Sequence, residues 1–346
     1  MRRVGLKFLA TELGISEGTV SRALNDYPDI SQSTRDRVKE VAAKFNYKAN
    51  QTARRLATGV AEAVAYLMPP NTKSISEPFV SQLLEGIGES LSQRGWDLLV
   101  VQASSEKTEA DTVEKLSTSG RVSGVVISRP YKNDRRIELL KKNNMPFIVH
   151  GRSVDSDDYA WFDVDSTQAF KDAVGHLAGL GHQQIGFIGA PLEYNFAQMR
   201  LDGYRQGLME NGLQYDPTLV DHVDMTDDAS AAAASAILKA QNPPTAFLCA
   251  TDTQAIGVLA AIRSAGLIPG QDISVIGYDG LDFGKHTNPP LTTLAQPQSH
   301  SGREICDMLL AIIDGGNPVD YQELRSATLV RRMSDGPFRP MKTIIS

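Results

Sequence analysis

Apolar residues over the first fifty positions recur at helical intervals, and from residue 63 onward they gather into short continuous runs. Leu6, Leu9, Ala10 and Leu13 fall at i, i+3, i+4 and i+7, which is one face of a short helix. Gly14 interrupts that face, and Ser16 offers an oxygen to cap a second helix running to Leu24, with Val20 turned inward. Ser31 can cap a third helix through Phe45, with Thr34, Val38, Val41, Ala42 and Phe45 on one side. Two short helices across so tight a turn read as a helix-turn-helix, whose second helix lies in the DNA major groove. An ordinary helical hairpin would show the same spacing. Asn50 can start a further helix of about two turns that stops at Gly59. That is shorter than the ~12–15 residues needed for marginal stability in water, so a linker that becomes helical only against a partner is expected.

The body changes period. AVAYLM, DLLVV, GVVI and PFIVH read as buried parallel strands. Helical stretches separate them, the clearest placing Val80, Leu83, Leu84, Ile87 and Leu91 on one face. The cycle restarts with IGFIG, AFLCA and ISVIG, and helices are expected near 166–180, 197–211, 229–240 and 253–265. Alternation of this kind predicts the α/β class with doubly wound sheets. Roughly 270 such residues exceed one comfortable core, so two lobes are expected. The predicted division is 1–48 for the helical head, 49–60 for the hinge and 61–346 for the body. Lobe one takes about 61–162 plus 294–330, and lobe two about 163–293.

Composition narrows the setting. Of 346 residues 41% are hydrophobic and 22% charged, and no apolar run reaches the ~20 residues of a membrane helix. The broken, acid-containing start argues against a secretory signal, and Cys249 within AFLCA suits a buried thiol, so a cytoplasmic protein without membrane contact is expected. The net charge of −6 conceals a division: residues 1–60 carry 11 Lys and Arg against 6 Asp and Glu, the remainder 24 against 35. A basic head on an acidic body suits a polyanionic partner at one end.

Enzyme signals fail on context. GISEG at 14–18 fits the nucleophile-elbow pattern, but that motif needs a strand before it and a helix after it, and here helices flank it on both sides. No phosphate-binding glycine loop follows the first strand. The six histidines lack ligand spacing, His176 and His182 standing six apart with no cysteine pair beside them. No catalytic residue, metal or cofactor is expected.

The run from Leu6 to Gly59, through GISEGTVSRALN, ISQSTRDRV and NYKANQTARRLATG, resembles the LacI/GalR family of bacterial transcription regulators. The two-lobed body is similar to that family's periplasmic-binding-protein-like effector domain. Ala49 departs from the proline usual before the hinge helix, and Thr251 stands where many members have asparagine.

The second helix can read DNA through Arg22, whose fork suits guanine O6 and N7, at roughly 1–3 kcal/mol of discrimination. Glu17 could accept from cytosine N4 or simply be a solvated charge, and Gly18 offers no side chain. Thr19, Ser21 and Asn25 suit phosphates, and Ser16, Asn50 and Arg54 complete the DNA-facing set. The resemblance implies that Leu56 wedges into the minor groove at the centre of a pseudo-palindromic operator, beside its copy from a second subunit.

In the body the resemblance implies a sugar between the lobes, stacked on Phe79 and hydrogen-bonded by Arg200 and Asp279. Asp163 or Asp165, Thr251 and Gln296 are further candidates, and Arg129 and the His150–Arg152 stretch end strands on the same rim. Core packing for Phe79, a surface ion pair for Arg200 and a turn role for Asp279 are the structural alternatives. The whole reads as a homodimeric repressor of sugar-catabolism genes binding double-stranded DNA, with a tetramer left open. A sugar-transport protein, or a regulator answering a nucleobase-like corepressor, are the alternatives.

Overall fold

The computed structural model describes residues 5–47, 61–68, 77–103 and 106–340. The chain forms two compact units, Met1–Glu62 and Ala63–Ser346.

The first unit packs α1 (Leu6–Leu13), α2 (Glu17–Leu24) and α3 (Gln32–Lys44) around a small core. Leu9, Val20, Ala23 and Val38 have no exposed surface. Gly14 closes α1 at φ 65°, a left-handed conformation that glycine adopts without steric cost. Ser16 and Ser31 cap α2 and α3 by accepting from the Thr19 and Thr34 amides.

The second unit holds two six-stranded sheets. In the first, β1 (Ala63–Met68), β2 (Asp97–Gln102), β3 (Gly124–Ser128), β4 (Phe147–His150), β5 (Ala160–Val164) and β11 (Gln322–Arg325) run parallel in the order β11-β5-β4-β3-β1-β2. Helices α4 (Pro78–Gln93), α5 (Glu106–Thr118) and α6 (Arg135–Lys142) connect them. In the second sheet, β6 (Ile185–Gly189), β7 (Val220–His222), β8 (Ala246–Cys249), β9 (Ser274–Asp279), β10 (Thr292–Ala295) and β12 (Thr328–Val330) lie in the order β12-β10-β9-β8-β6-β7. Its strands are parallel except β12, which pairs antiparallel with β10. Helices α7 (Ser166–Gly179), α8 (Asn195–Glu210), α9 (Asp227–Ile237) and α10 (Asp252–Ser264) accompany this sheet, and α11 (Gln298–Ile313) returns to pack on α4.

Continuous apolar strands follow from burial on both faces. Along β1, Val64, Tyr66 and Met68 enter one cluster, while Ala63, Ala65 and Leu67 enter the cluster on the opposite face. β8 divides likewise, Ala246 and Leu248 on one side, Phe247 and Cys249 on the other. The DLLVV run departs from its expected burial. β2 is an edge strand, and Val100 is exposed. The chain passes between sheets three times: after β5, after β10, and over the two residues separating β11 from β12. The last of these puts residues 328–330 in the second sheet, where the sequence pattern suggested a return to lobe one.

Candidate functional site

Two regions collect the chemistry, one in each unit. In the helical head, α2 starts with Ser16 as its cap. The Ser16 hydroxyl accepts from the Thr19 amide at 3.0 Å and lies 2.8 Å from Thr19 Oγ1, so both hydroxyls serve the helix end. Asn25 Nδ2 donates to the Ser21 carbonyl at 2.8 Å and closes the other end. Glu17, Gly18 and Arg22 form the exposed side. The Arg22 guanidinium is folded back: it pairs with Asp29 at 2.5 Å and lies 5.3 Å from the centre of the Tyr27 ring. Asn50, Arg54 and Leu56 of the expected hinge lie outside the described residues.

In the body, a cleft with about 520 Å³ of empty space, open solvent included, lies between the carboxyl ends of the two sheets. This is where doubly wound sheets place ligands, because loops rather than helices follow the strands there. On the lobe-one side, Phe79 stacks on His150 with ring centres 5.5 Å apart, and Arg129, directly after β3, lies over the same phenyl ring at 5.7 Å. Burial, with Arg129 and Arg200 adding to it, pushes the His150 imidazole down to about 4, so the ring is neutral at physiological pH.

The lobe-two side is organised by Arg200 on α8. Its side chain is buried, its Nη1 donates to the Ala250 carbonyl at 2.6 Å, and its guanidinium lies between Tyr278 and Phe196, 4.0 and 4.5 Å from their ring centres. Its Nε has no hydrogen-bond partner. A buried guanidinium N–H without an acceptor is costly, and a ligand oxygen would relieve that cost.

Asp279 ends β9 and accepts from Gln296 Nε2 at 2.9 Å. Burial pushes its carboxyl up to about 8, Arg200 opposing and Asp252 reinforcing the shift. Its φ of 125° is one that side-chain-bearing residues rarely adopt. The following Gly280 is also left-handed, and a Cβ there would fall 2.6 Å from that of Ala295.

The lobes also touch beside the cleft. The Lys132 amide donates to the Glu193 carbonyl and the Asn195 amide to the Pro130 carbonyl, both at 3.1 Å. Tyr131 stacks on Tyr194 with centres 5.3 Å apart, and Asn195 Nδ2 donates to the Arg152 carbonyl at 2.8 Å.

Residues 6–50 match the profile of the lacI family of bacterial regulatory proteins, and residues 174–334 that of a periplasmic binding protein-like domain. The HTH-type transcriptional regulator AglR of Rhizobium meliloti (strain 1021) is 39% identical over 338 residues, which span 96% of this chain and 95% of AglR. The chain belongs to the LacI family. This LacI-family protein is a DNA-binding transcription regulator. Among solved structures, the lac repressor dimer bound to operator and the anti-inducer ONPF is 28% identical with a TM-score of 0.83, covering 96% of this chain and 99% of that one. A complex of the transcriptional regulator CelR with cellobiose is 28% identical with a TM-score of 0.74, covering 96% and 100%.

In this LacI-family regulator the cleft brings together Phe79, Arg129, Asp163, Arg200, Thr251, Asp279 and Gln296 from the sequence-derived set. Two others lie elsewhere. Asp165 caps α7 by accepting from the Gln168 amide, and its neighbour Ser166 lines the cleft instead. Arg152 donates to Asp163 at 2.8 Å and lies over Trp161, behind the lining. Thr251 is at the cleft but its hydroxyl also caps α10, accepting from the Gln254 amide at 3.1 Å. His150 and Gly151 of the expected rim stretch also line the cleft, and Pro130, Phe196 and Met225, which were not singled out in the sequence, complete it. Phe196 had a usable signal, since it precedes Arg200 by one helical turn and so shares its face.

Proposed function

We propose that this regulator is a homodimeric repressor of sugar-utilisation genes, controlled by a sugar bound between the lobes of its body. Residues 1–48 read one half of a pseudo-palindromic operator through Arg22 and Glu17. Residues 49–60 form the hinge, with Leu56 entering the minor groove. The observation that carries the effector assignment is the buried Arg200, held between two aromatic faces with its Nε unmatched. Hydroxyl groups both accept and donate, so they satisfy Arg200 and the carboxyl groups of Asp163 and Asp279 together, while the ring of Phe79 suits the apolar face of a sugar. A structural neighbour solved with cellobiose supports the same ligand class. The cleft carboxylates are engaged by Arg152 and by Gln296, an arrangement that favours binding over acid–base catalysis.

The test is a selection of duplexes from a random pool with the full chain, followed by gel shifts on the enriched site with and without mono- and disaccharides. A palindromic site whose occupancy changes with one sugar is expected. Absence of any duplex binding at low salt would remove the operator reading, and binding that no sugar alters would remove the effector reading.

A further inference from the structure

The lobe-one wall of the cleft is electrically settled before any ligand arrives. Arg129 Nη1 donates to Glu77 Oε2 at 3.1 Å, and Nη2 reaches the other carboxylate oxygen, so the fork of the guanidinium is filled from both prongs. The two side chains are only 10% and 27% exposed, which leaves little water to loosen the pair. Glu77 occupies the cap position of α4, where a carboxylate would ordinarily turn to the free amides of the first turn. It makes no such cap and faces Arg129 instead.

A bidentate Arg–carboxylate pair uses the same donor geometry that would otherwise grip a phosphate or carboxylate of a ligand. The neighbouring cations of this wall offer no substitute. His150 is held neutral by burial, and Arg152 is committed to Asp163. On the facing wall Arg200 keeps its Nε unmatched, a single N–H rather than an open fork, and its guanidinium is wedged between rings and bonded to the Ala250 carbonyl, with Asp279 beside it and Asp163 of the first sheet in the same lining.

We propose that Glu77 is a specificity residue: by occupying Arg129 it closes this end of the cleft to anions, so the effector is an uncharged, unphosphorylated polyhydroxyl compound. The statement deepens the sugar reading of the cleft and rests on it for the identity of the ligand, but the closure to anions stands on the Arg129–Glu77 pair alone.

Calorimetric titration of the full chain separates the two. Three probes are used: a panel of neutral sugars including glucose, trehalose, maltose and cellobiose; glucose 6-phosphate and trehalose 6-phosphate; and inorganic phosphate. The wild-type chain should bind at least one neutral sugar, bind a phosphorylated form at least tenfold more weakly, and show no heat with inorganic phosphate. Glu77→Gln frees one prong of Arg129, and it should acquire measurable binding of inorganic phosphate and narrow the sugar-to-sugar-phosphate ratio by about tenfold. The double variant Glu77→Gln, Arg129→Gln should lose that gain. Tight binding of a sugar phosphate or of phosphate by the wild-type chain overturns the proposal whatever becomes of the variants. So does an unchanged response in Glu77→Gln that melts as a folded protein. If no neutral sugar binds while Glu77→Gln still gains phosphate, the sugar reading falls and the anion gate stands.

Discussion

Arg22 and Arg200 are guanidiniums at the two places where a partner is expected, and the fold treats them in opposite ways. Arg22 is exposed and fully engaged, by Asp29 and the ring of Tyr27, so a base edge must compete for it. Exposed pairs of this kind are weak. Asp29→Asn should therefore raise affinity for guanine-containing sites by about two- to fivefold, an effect that disappears when Arg22 is also replaced by Ala, as a double-mutant cycle in gel shifts would reveal. Arg200 is buried with a donor to spare, and Asp279 beside it is the acidic counterpart. Because the native state holds the Asp279 proton more tightly than the unfolded chain does, its contribution to stability is complete below the ordinary carboxylate range. It is lost progressively as pH rises toward about 8. Asp279→Asn keeps a residue tolerant of positive φ and cannot ionise. Its melting temperature relative to wild type should rise between pH 5 and 8.5 while the response to effector is lost. A difference that stays flat across that range would show the carboxyl to be ordinary. Arg200 and Asp279 entered the candidate set through the family resemblance, and both line the cleft. Asp165 was not separable from Ser166, since one position of helical register decides which side chain faces the cleft and which caps the helix.

Helices were more legible than strands. Ser16, Ser31 and Gly14 punctuate the head in the sequence, and the same three residues begin and end its helices in the structure. The Ser31 cap is simple to test: Ser31→Ala should cost about 1 kcal/mol of head stability, read as a lower midpoint in chemical denaturation of the full chain followed by helical signal. Strand DLLVV shows where the pattern stops informing. Its run of apolar residues looks as buried as AVAYLM, but burial depends on strand order, which a single run does not contain. Two strand ends share another trait invisible to hydropathy. Arg129 after β3 and Asp279 at the end of β9 both have positive φ without being glycine, one on each side of the cleft. The other non-glycine residues of this kind among those described are Asp26, Asn46 and Asn144, residue types that accept such turns readily. Strain held at the cleft-facing ends of strands from both sheets is what a site maintained by its surroundings looks like.

At the scale of the molecule, the two units have separate cores, and the body buries its own strands on both faces. A fragment beginning at residue 61 should fold, bind the same effector as the full chain within about twofold, and show no operator affinity. Loss of effector binding in that fragment would mean the head completes the cleft. The order of strands within each sheet and the closeness of the lobes were not legible, because both depend on contacts between residues tens of positions apart, such as Val64 with Leu98 in the first sheet and Tyr131 with Tyr194 across the lobes. The three passages between sheets have a mechanical meaning. Three connections, one of them only two residues long, hinder the lobes from sliding apart or twisting freely, and leave rotation about the connecting segments as the easy movement. An effector seated in the cleft, as proposed above, would thereby be read out as something close to a single angle. A sensor with one such coordinate can be graded by how far a ligand lets it close, so analogues that fit imperfectly should produce intermediate outputs rather than none.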